Sequence, residues 1–300
     1  MTGTFAPGQA TAIATTTDTD PAIRVSDVPV GDEMTMRVYQ SGQPGRPVLL
    51  MLHGSGPGVS GRSNWEALMA GLAEDYHCIA PDIIGFGDST HPDPSPQGFV
   101  PNMALRIDKL IRMLDELGVD AVTLVGNSMG GMFSLRLAQI IPERIERMVL
   151  MGSGGMPGLV PLPGLIKLVT FYDDPSEQSM EDLLMLFVSD KEAFGPRIRE
   201  IAAERYAVAA REGVRRSHLG TFAPGAFWTF PEDVLARITH RTLVVHGRDD
   251  AIVSPESSYY LAANLPNADL YVLSHCGHWT QVEQAERFRT LLSDFMEGRI

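Results

Sequence analysis

The chain has 300 residues and a mass of 32.7 kDa, with 44% hydrophobic and 20% charged residues, 29 Gly and 21 Pro. That composition excludes disordered, collagenous and coiled-coil architectures, and the length suits two structural units or one domain carrying a large insertion. A net charge of −13 makes nucleic acid and anionic membranes poor partners, and an anionic substrate would need a local cation to hold it.

Residues 1–22 are Thr-rich and lack both the basic and the apolar regions of an export signal, so a disordered leader is expected. VSDVPV (25–30) and MTMRVY (34–39) read as strands joined by a Gly31–Asp32 turn. VLLMLH (48–53) is a continuous apolar run ending in glycines, followed by a helix around Asn64 to Ala73. HCIAPD (77–82) is the next strand. A helix at 103–117 then carries Leu105, Ile107, Leu110, Ile111, Leu114 and Leu117 on one face. AVTLVGN (121–127), a helix from 129 to 140, and RMVLMG (147–152) continue the rhythm. Apolar strands alternating with amphipathic helices predict a mostly parallel sheet covered on both faces.

Over 153–232 the alternation stops. Pro- and Gly-punctuated apolar sequence gives way to helical segments near 179–189 and 196–212. The strand–helix rhythm resumes with TLVVHG (242–247), a helix near 255–264, DLYVLS (269–274) and a last helix near 281–297. The expected organisation is an α/β core over 23–152 and 233–300, with an inserted helical lid over 153–232. No run reaches the roughly 18 apolar residues of a membrane span. Two cysteines, Cys78 and Cys276, are too few for a disulfide framework, and a reduced cytoplasm is the expected setting.

The strongest local signal is Gly126-Asn127-Ser128-Met129-Gly130, a G-x-S-x-G elbow between strand and helix. A serine hydroxyl is a weak nucleophile and needs a base that an acid orients. In the α/β-hydrolase fold the chain order is serine, acid, histidine. Downstream, Arg248-Asp249-Asp250 follows one strand and His275-Cys276-Gly277-His278-Trp279 follows the next, the loop positions where open α/β sheets place ligands. Asp250 is favoured over Asp249 by its place three residues past Gly247. His278 is favoured over His275 because Gly277 frees the loop to aim it. His77, His91, His218, His240 and His246 have no paired acid in sequence and read as structural or exposed. Oxyanion donors are expected from the amide of Met129 and from Ser55 or Gly56 in His53-Gly54-Ser55-Gly56-Pro57-Gly58, which lacks the G-K-[ST] of a phosphate loop.

Pro196 reads as opening a helix whose apolar stripe runs Ile198, Ile201, Ala202 and Val208. Arg205 falls on that stripe, and a guanidinium on an apolar face calls for a partner such as a bidentate carboxylate. Arg197, Arg199, Arg215 and Arg216 read as solvated surface.

Together, HGSGPG with Ser63-Asn64-Trp65, GNSMGG, GRDD with Val253, and CGHW resemble the meta-cleavage product hydrolases, α/β-hydrolase enzymes of bacterial aromatic and steroid ring degradation. The resemblance spans about residues 25–298. It implies a triad of Ser128, Asp250 and His278, and contacts from Asn64, Asn127 and Trp279 around a dienoate. It also implies Arg205 against the substrate carboxylate. The activity implied is cofactor-free, metal-free C–C hydrolysis of a 2-hydroxy-6-oxo-2,4-dienoate by a homo-oligomer, a dimer or larger. Ser55 stands where relatives often have Gly. A carboxylesterase or lactonase with the same triad, and a non-catalytic ligand receptor on the same scaffold, are the alternative readings.

Overall fold

The computed structural model describes residues 23–300; the leader expected over 1–22 lies outside the described residues. The chain opens with the antiparallel hairpin β1 (Arg24–Pro29) and β2 (Thr35–Ser41), and β3 (Val48–Leu52) follows. Helix α1 (Gly61–Ala70) starts three residues before the sequence expectation because Ser60 and Ser63 form a reciprocal capping box. Next come β4 (His77–Pro81), α2 (Phe99–Glu116), β5 (Val122–Asn127), α3 (Met129–Ile140) and β6 (Ile145–Met151).

Five helices fill the interval before the next strand: α4 (Pro163–Val169), α5 (Glu177–Leu184), α6 (Lys191–Ala209), α7 (Glu212–Thr221) and α8 (Glu232–Leu235). Pro196 does not open α6. The helix begins at Lys191, where the Asp190 carboxylate caps the amide of Ala193 at 2.9 Å, and the Pro196 ring lies exposed within it. The chain ends with β7 (Arg241–Gly247), α9 (Glu256–Asn264), β8 (Ala268–Leu273), α10 (Thr280–Glu283) and α11 (Ala285–Met296). The single last helix expected from the sequence is broken at Gln284.

The eight strands form one sheet in the order β1-β2-β4-β3-β5-β6-β7-β8. Only β2 pairs antiparallel, with β1 and with β4; the rest of the sheet is parallel. Alternation along each strand feeds both faces. Leu50, Leu52 and Leu124 pack with Leu110 of α2 and Phe133 of α3 on one side. Leu49, Met51 and Val125 pack with Trp65 of α1 and Phe288 of α11 on the other. A third cluster belongs to the helices between β6 and β7. There Met180, Leu184, Phe194 and Ile198 pack together and also against Ile252, Val253 and Trp279 in the loops after β7 and β8. Each such side chain, fully buried, contributes roughly 1.5–3 kcal/mol, so the inserted helices are seated on the loops at the C-terminal ends of the strands. Among the described residues, no helix is long and apolar enough to cross a membrane.

Candidate active site

Strand β5 passes into α3 with only Ser128 between them. Ser128 has φ +57° and ψ −114°, a left-handed backbone that a residue with a side chain adopts only when its surroundings enforce it. Its amide donates to the Met151 carbonyl at 2.8 Å and its carbonyl accepts from Gly131 at 3.1 Å. The flanking glycines are steric necessities. A Cβ on Gly126 would sit 2.4 Å from the Gly130 carbonyl oxygen, and one on Gly130 would sit 2.0 Å from that of Leu52. The elbow is therefore a packing requirement, with Ser128 projected at the N-terminus of α3.

Asp250 lies in the turn after β7. Its Oδ1 accepts the amides of Ile252 at 2.8 Å and Val253 at 2.9 Å, and its Oδ2 stands 2.7 Å from His278 Nδ1. Burial pushes this carboxyl up, but the neighbouring imidazoles of His278 and His246 outweigh it and hold Asp250 well below the usual carboxylate range. The His278 amide donates to the Phe187 carbonyl at 2.8 Å, which ties the histidine loop to the inserted helices. A Cβ on Gly152 would come 3.0 Å from His278 Nδ1 and 3.3 Å from Asp250 Oδ2. The acid–imidazole pair thus rests on the end of β6, whose Met151 carbonyl also anchors Ser128. Asp249 and His275 are exposed and turned elsewhere; Asp249 accepts from Ser189 Oγ at 2.9 Å.

Two histidines play parts that the sequence does not disclose. His246 does have an acid partner, contrary to the sequence reading: its Nε2 is 3.2 Å from Asp250 Oδ2. His53, first residue of the glycine-rich turn, is fully buried. Its Nδ1 bonds the Gly54 carbonyl at 2.7 Å, and its Nε2 accepts the Ile83 amide at 3.0 Å. Burial lowers its pKa to about 4, so the ring is neutral and serves as a clamp on the turn.

That turn stands between two cavities. A Cβ on Gly54 would meet Ser128 Cβ at 3.1 Å, so the backbone passes directly over the serine. Among the described residues, the amides of Ser55, Gly56 and Met129 donate to no backbone carbonyl. Ser55, Ser128 and Met129 line a cavity of about 450 Å³ whose walls include Phe99, Met132, Leu165 and Trp228. A second cavity, of about 270 Å³, is lined by Asn64, Arg205, Trp279 and Gln281 among others.

Arg205 is buried, and among the described residues no carboxylate pairs with it. Its Nε donates to the Pro57 carbonyl at 2.9 Å, and its guanidinium carbon stands 5.9 Å from the Trp279 ring and 6.0 Å from that of Phe187. Burial lowers its pKa to about 10, which leaves it cationic at neutral pH. The Asn64 Nδ2 and both amide atoms of Gln281 are buried without a partner among the described residues. Gln281 was not singled out by sequence; only its place two residues after Trp279 hints at it. Asn127 is placed differently from the other polar candidates: its Nδ2 lies 3.3 Å from the Met151 carbonyl and it lines neither cavity.

Residues 47–285 match the family model described as alpha/beta hydrolase fold, the class that the elbow and the sheet order define. The chain is 38% identical over 253 residues to the 2-hydroxymuconate semialdehyde hydrolase of Pseudomonas sp. (strain CF600), covering 83% of this chain and 86% of that protein. The solved structure of a serine hydrolase from the polyaromatic hydrocarbon-degrading bacterium Cycloclasticus zankles is 37% identical. It superposes with a TM-score of 0.88, over 93% of this chain and 99% of that one. The 2-hydroxy-6-oxo-6-phenylhexa-2,4-dienoate hydrolase of Rhodococcus sp. strain RHA1 is 35% identical with a TM-score of 0.87, over 92% of this chain and 99% of that one. This chain belongs to the meta-cleavage product hydrolases, C–C bond hydrolases within the α/β-hydrolase family.

Proposed function

We propose that the protein hydrolyses the C5–C6 bond of a 2-hydroxy-6-oxo-2,4-dienoate, giving 2-hydroxypenta-2,4-dienoate and a carboxylic acid. The observation that carries this reading is Arg205, a buried cation with no acidic partner among the described residues, facing a polar cavity while Ser128 faces an apolar one. A dienoate has an anionic end and a C6 substituent, and the scissile carbon lies between them.

In the proposed reaction Arg205 binds the carboxylate, with Asn64, Gln281 and Trp279 around the oxygen at C2. The dienol ketonises, C5 gaining a proton with His278 assisting. Ser128 Oγ, or a water activated in its place, then attacks the C6 carbonyl while His278 takes the proton. The amides of Met129 and of Ser55 or Gly56 hold the oxyanion; Ser55 shares the cavity of Ser128, which supports it as the donor. The C5–C6 bond breaks, its electron pair passing into the dienolate that Arg205 anchors, and the proton held by His278 passes to the dienolate oxygen at C2 to give 2-hydroxypenta-2,4-dienoate. On the Ser128 route, water deprotonated by His278 then releases the acyl group as a carboxylic acid, the proton returning to Ser128 Oγ; on the water route the acid leaves directly as the C5–C6 bond breaks. Asp250 fixes the His278 tautomer with the proton on Nδ1 and stabilises the imidazolium. The inserted helices act as the lid over this chemistry. The reading extends to a homo-oligomer, a dimer or larger, and to a reducing cytoplasm, in which the buried free thiols of Cys78 and Cys276 would persist.

Incubating wild type and Ser128→Ala with a C6-substituted dienoate and identifying both products by chromatography tests the proposal. Stoichiometric acid and 2-hydroxypenta-2,4-dienoate are expected from the wild type alone. Cleavage by Ser128→Ala at wild-type rate would remove Ser128 from the reaction.

A further inference from the structure

The carboxylate of Asp250 is held by more than one imidazole. His246 is fully buried at the end of β7. Its Nδ1 lies 2.6 Å from Ser258 Oγ on α9, and its Nε2 lies 3.0 Å from the Val253 carbonyl and 3.2 Å from Asp250 Oδ2. Both groups opposite Nε2 are pure acceptors, so Nε2 carries the ring proton and Nδ1 accepts from the Ser258 hydroxyl. One carboxylate oxygen is therefore hydrogen-bonded by His278 and lies 3.2 Å from the protonated Nε2 of His246, which is bonded to the Val253 carbonyl and shared with the carboxylate as a charge contact, while the other oxygen receives two backbone amides.

We infer that His246 is a positioning residue: it acts through Asp250, fixing the carboxylate's orientation and sharing its charge, and so sets how strongly Asp250 supports the His278 base. Ser258 is the outer member of this arrangement, since its hydroxyl selects the His246 tautomer that can donate. The inference rests on the proposed roles of Ser128, Asp250 and His278, and not on the identity of the substrate.

The physical consequence has a sign. A carboxylate relieved of the His246 donor is a stronger acceptor, and its remaining bond to His278 favours the imidazolium more. The acid limb of the activity profile should then move to higher pH. Other titratable and charged groups ring the site: Asp249 after β7, Cys276 in the loop after β8, and Glu283 of α10, with the Phe187 ring edge-on to His278 at 5.3 Å. Among the described residues, His278 hydrogen-bonds Asp250 Oδ2 and His246 is the other imidazole within ion-pair distance of it.

The test compares His246→Leu, His246→Gln and Ser258→Ala with wild type. The readout is the pH dependence of Ser128 labelling by a fluorophosphonate, with dienoate turnover followed in parallel. Leu removes the donor, whereas the Gln side-chain amide can replace it. His246→Leu is expected to slow labelling roughly ten- to a hundredfold, the scale seen when a supporting hydrogen bond is lost. Its acid limb should rise by about half to one pH unit, with the dienoate KM unchanged. His246→Gln should return the limb toward wild type, and Ser258→Ala should shift it in the same direction as Leu but less. Should His246→Leu fail to fold, the Gln and Ser258→Ala profiles decide. An unmoved limb in Ser258→Ala, or a Gln variant as displaced as Leu, would overturn the inference. Labelling that follows the expected pattern without dienoate turnover would uphold it and remove only the substrate reading.

Discussion

The two cavities beside the Gly54–Gly58 turn differ in nearly every property that a ligand senses. The larger, about 450 Å³, is walled by aliphatic and aromatic side chains and carries no charged residue among those that line it. The smaller, about 270 Å³, gathers Arg62, Arg205 and Arg211 with Asp82, Asp88 and Glu204. Of these, Arg205 is the buried cation that lies against the turn, donating to the Pro57 carbonyl. A protein with net charge −13 would repel a small anion at long range, so the anion's place must be made locally. The contrast teaches orientation: on the proposed reading, a molecule with one carboxylate end and one apolar end would fit across Ser128 in a single direction.

The largest expected effect removes the proposed nucleophile itself, which lines the apolar cavity. Ser128→Ala should lower dienoate turnover by about a thousandfold or more while leaving both cavities intact, so that product formation falls and substrate still binds. Next, Arg205→Gln strikes the polar cavity alone. Loss of a buried cation opposite a carboxylate costs on the order of 2–5 kcal/mol. Its kcat/KM for a dienoate should therefore fall about a hundredfold or more, while that for a neutral ester changes little. Equal losses on both substrates would dissolve the contrast between the cavities.

A smaller effect is expected in the apolar cavity. Leu165→Trp should reduce kcat/KM for a dienoate with an aryl C6 group by about tenfold and spare a C6-methyl dienoate. Smallest is a pH effect on stability. Burial pushes both Asp82, in the polar cavity, and Glu283, under the histidine loop, up to about 7. Each carboxyl binds its proton more tightly folded than unfolded. Their contribution is present below the unfolded pKa and is lost as pH rises through about 7. Asp250, held low, works in the opposite sense, losing its contribution only in strong acid. Thermal melts from pH 5 to 8 should show a falling midpoint, with a shallower fall in Glu283→Gln.

Much of the core is legible in the sequence, because strands buried on both faces read as unbroken apolar runs such as VLLMLH and TLVVHG. The elbow and the Asp250–His278 contact are legible for a related reason: each residue follows a strand at its C-terminal end, so chain order alone converges them. Helix starts are less so. Those of α1 and α6 depend on side-chain caps at Ser60 and Asp190 rather than on apolar period. The His246–Asp250 pair is hidden because residues four apart in an extended strand stand about 13 Å apart. Only the turn closed by the Asp250 amide on the Gly247 carbonyl, at 3.2 Å, folds the acid back onto the ring. The apolar cavity is hidden too, since its walls come largely from α2, α4 and the segment at 222–229, whose packing no local pattern encodes.

The central claim is C–C cleavage of an acidic dienoate across Ser128. Its most direct test is the yellow dienolate absorbance of 2-hydroxy-6-oxo-6-phenylhexa-2,4-dienoate incubated with the wild-type protein. The expected result is complete loss of absorbance with one equivalent of benzoate formed. Persistent absorbance, with a neutral ester hydrolysed under the same conditions, would contradict the account and assign the same serine to ester chemistry.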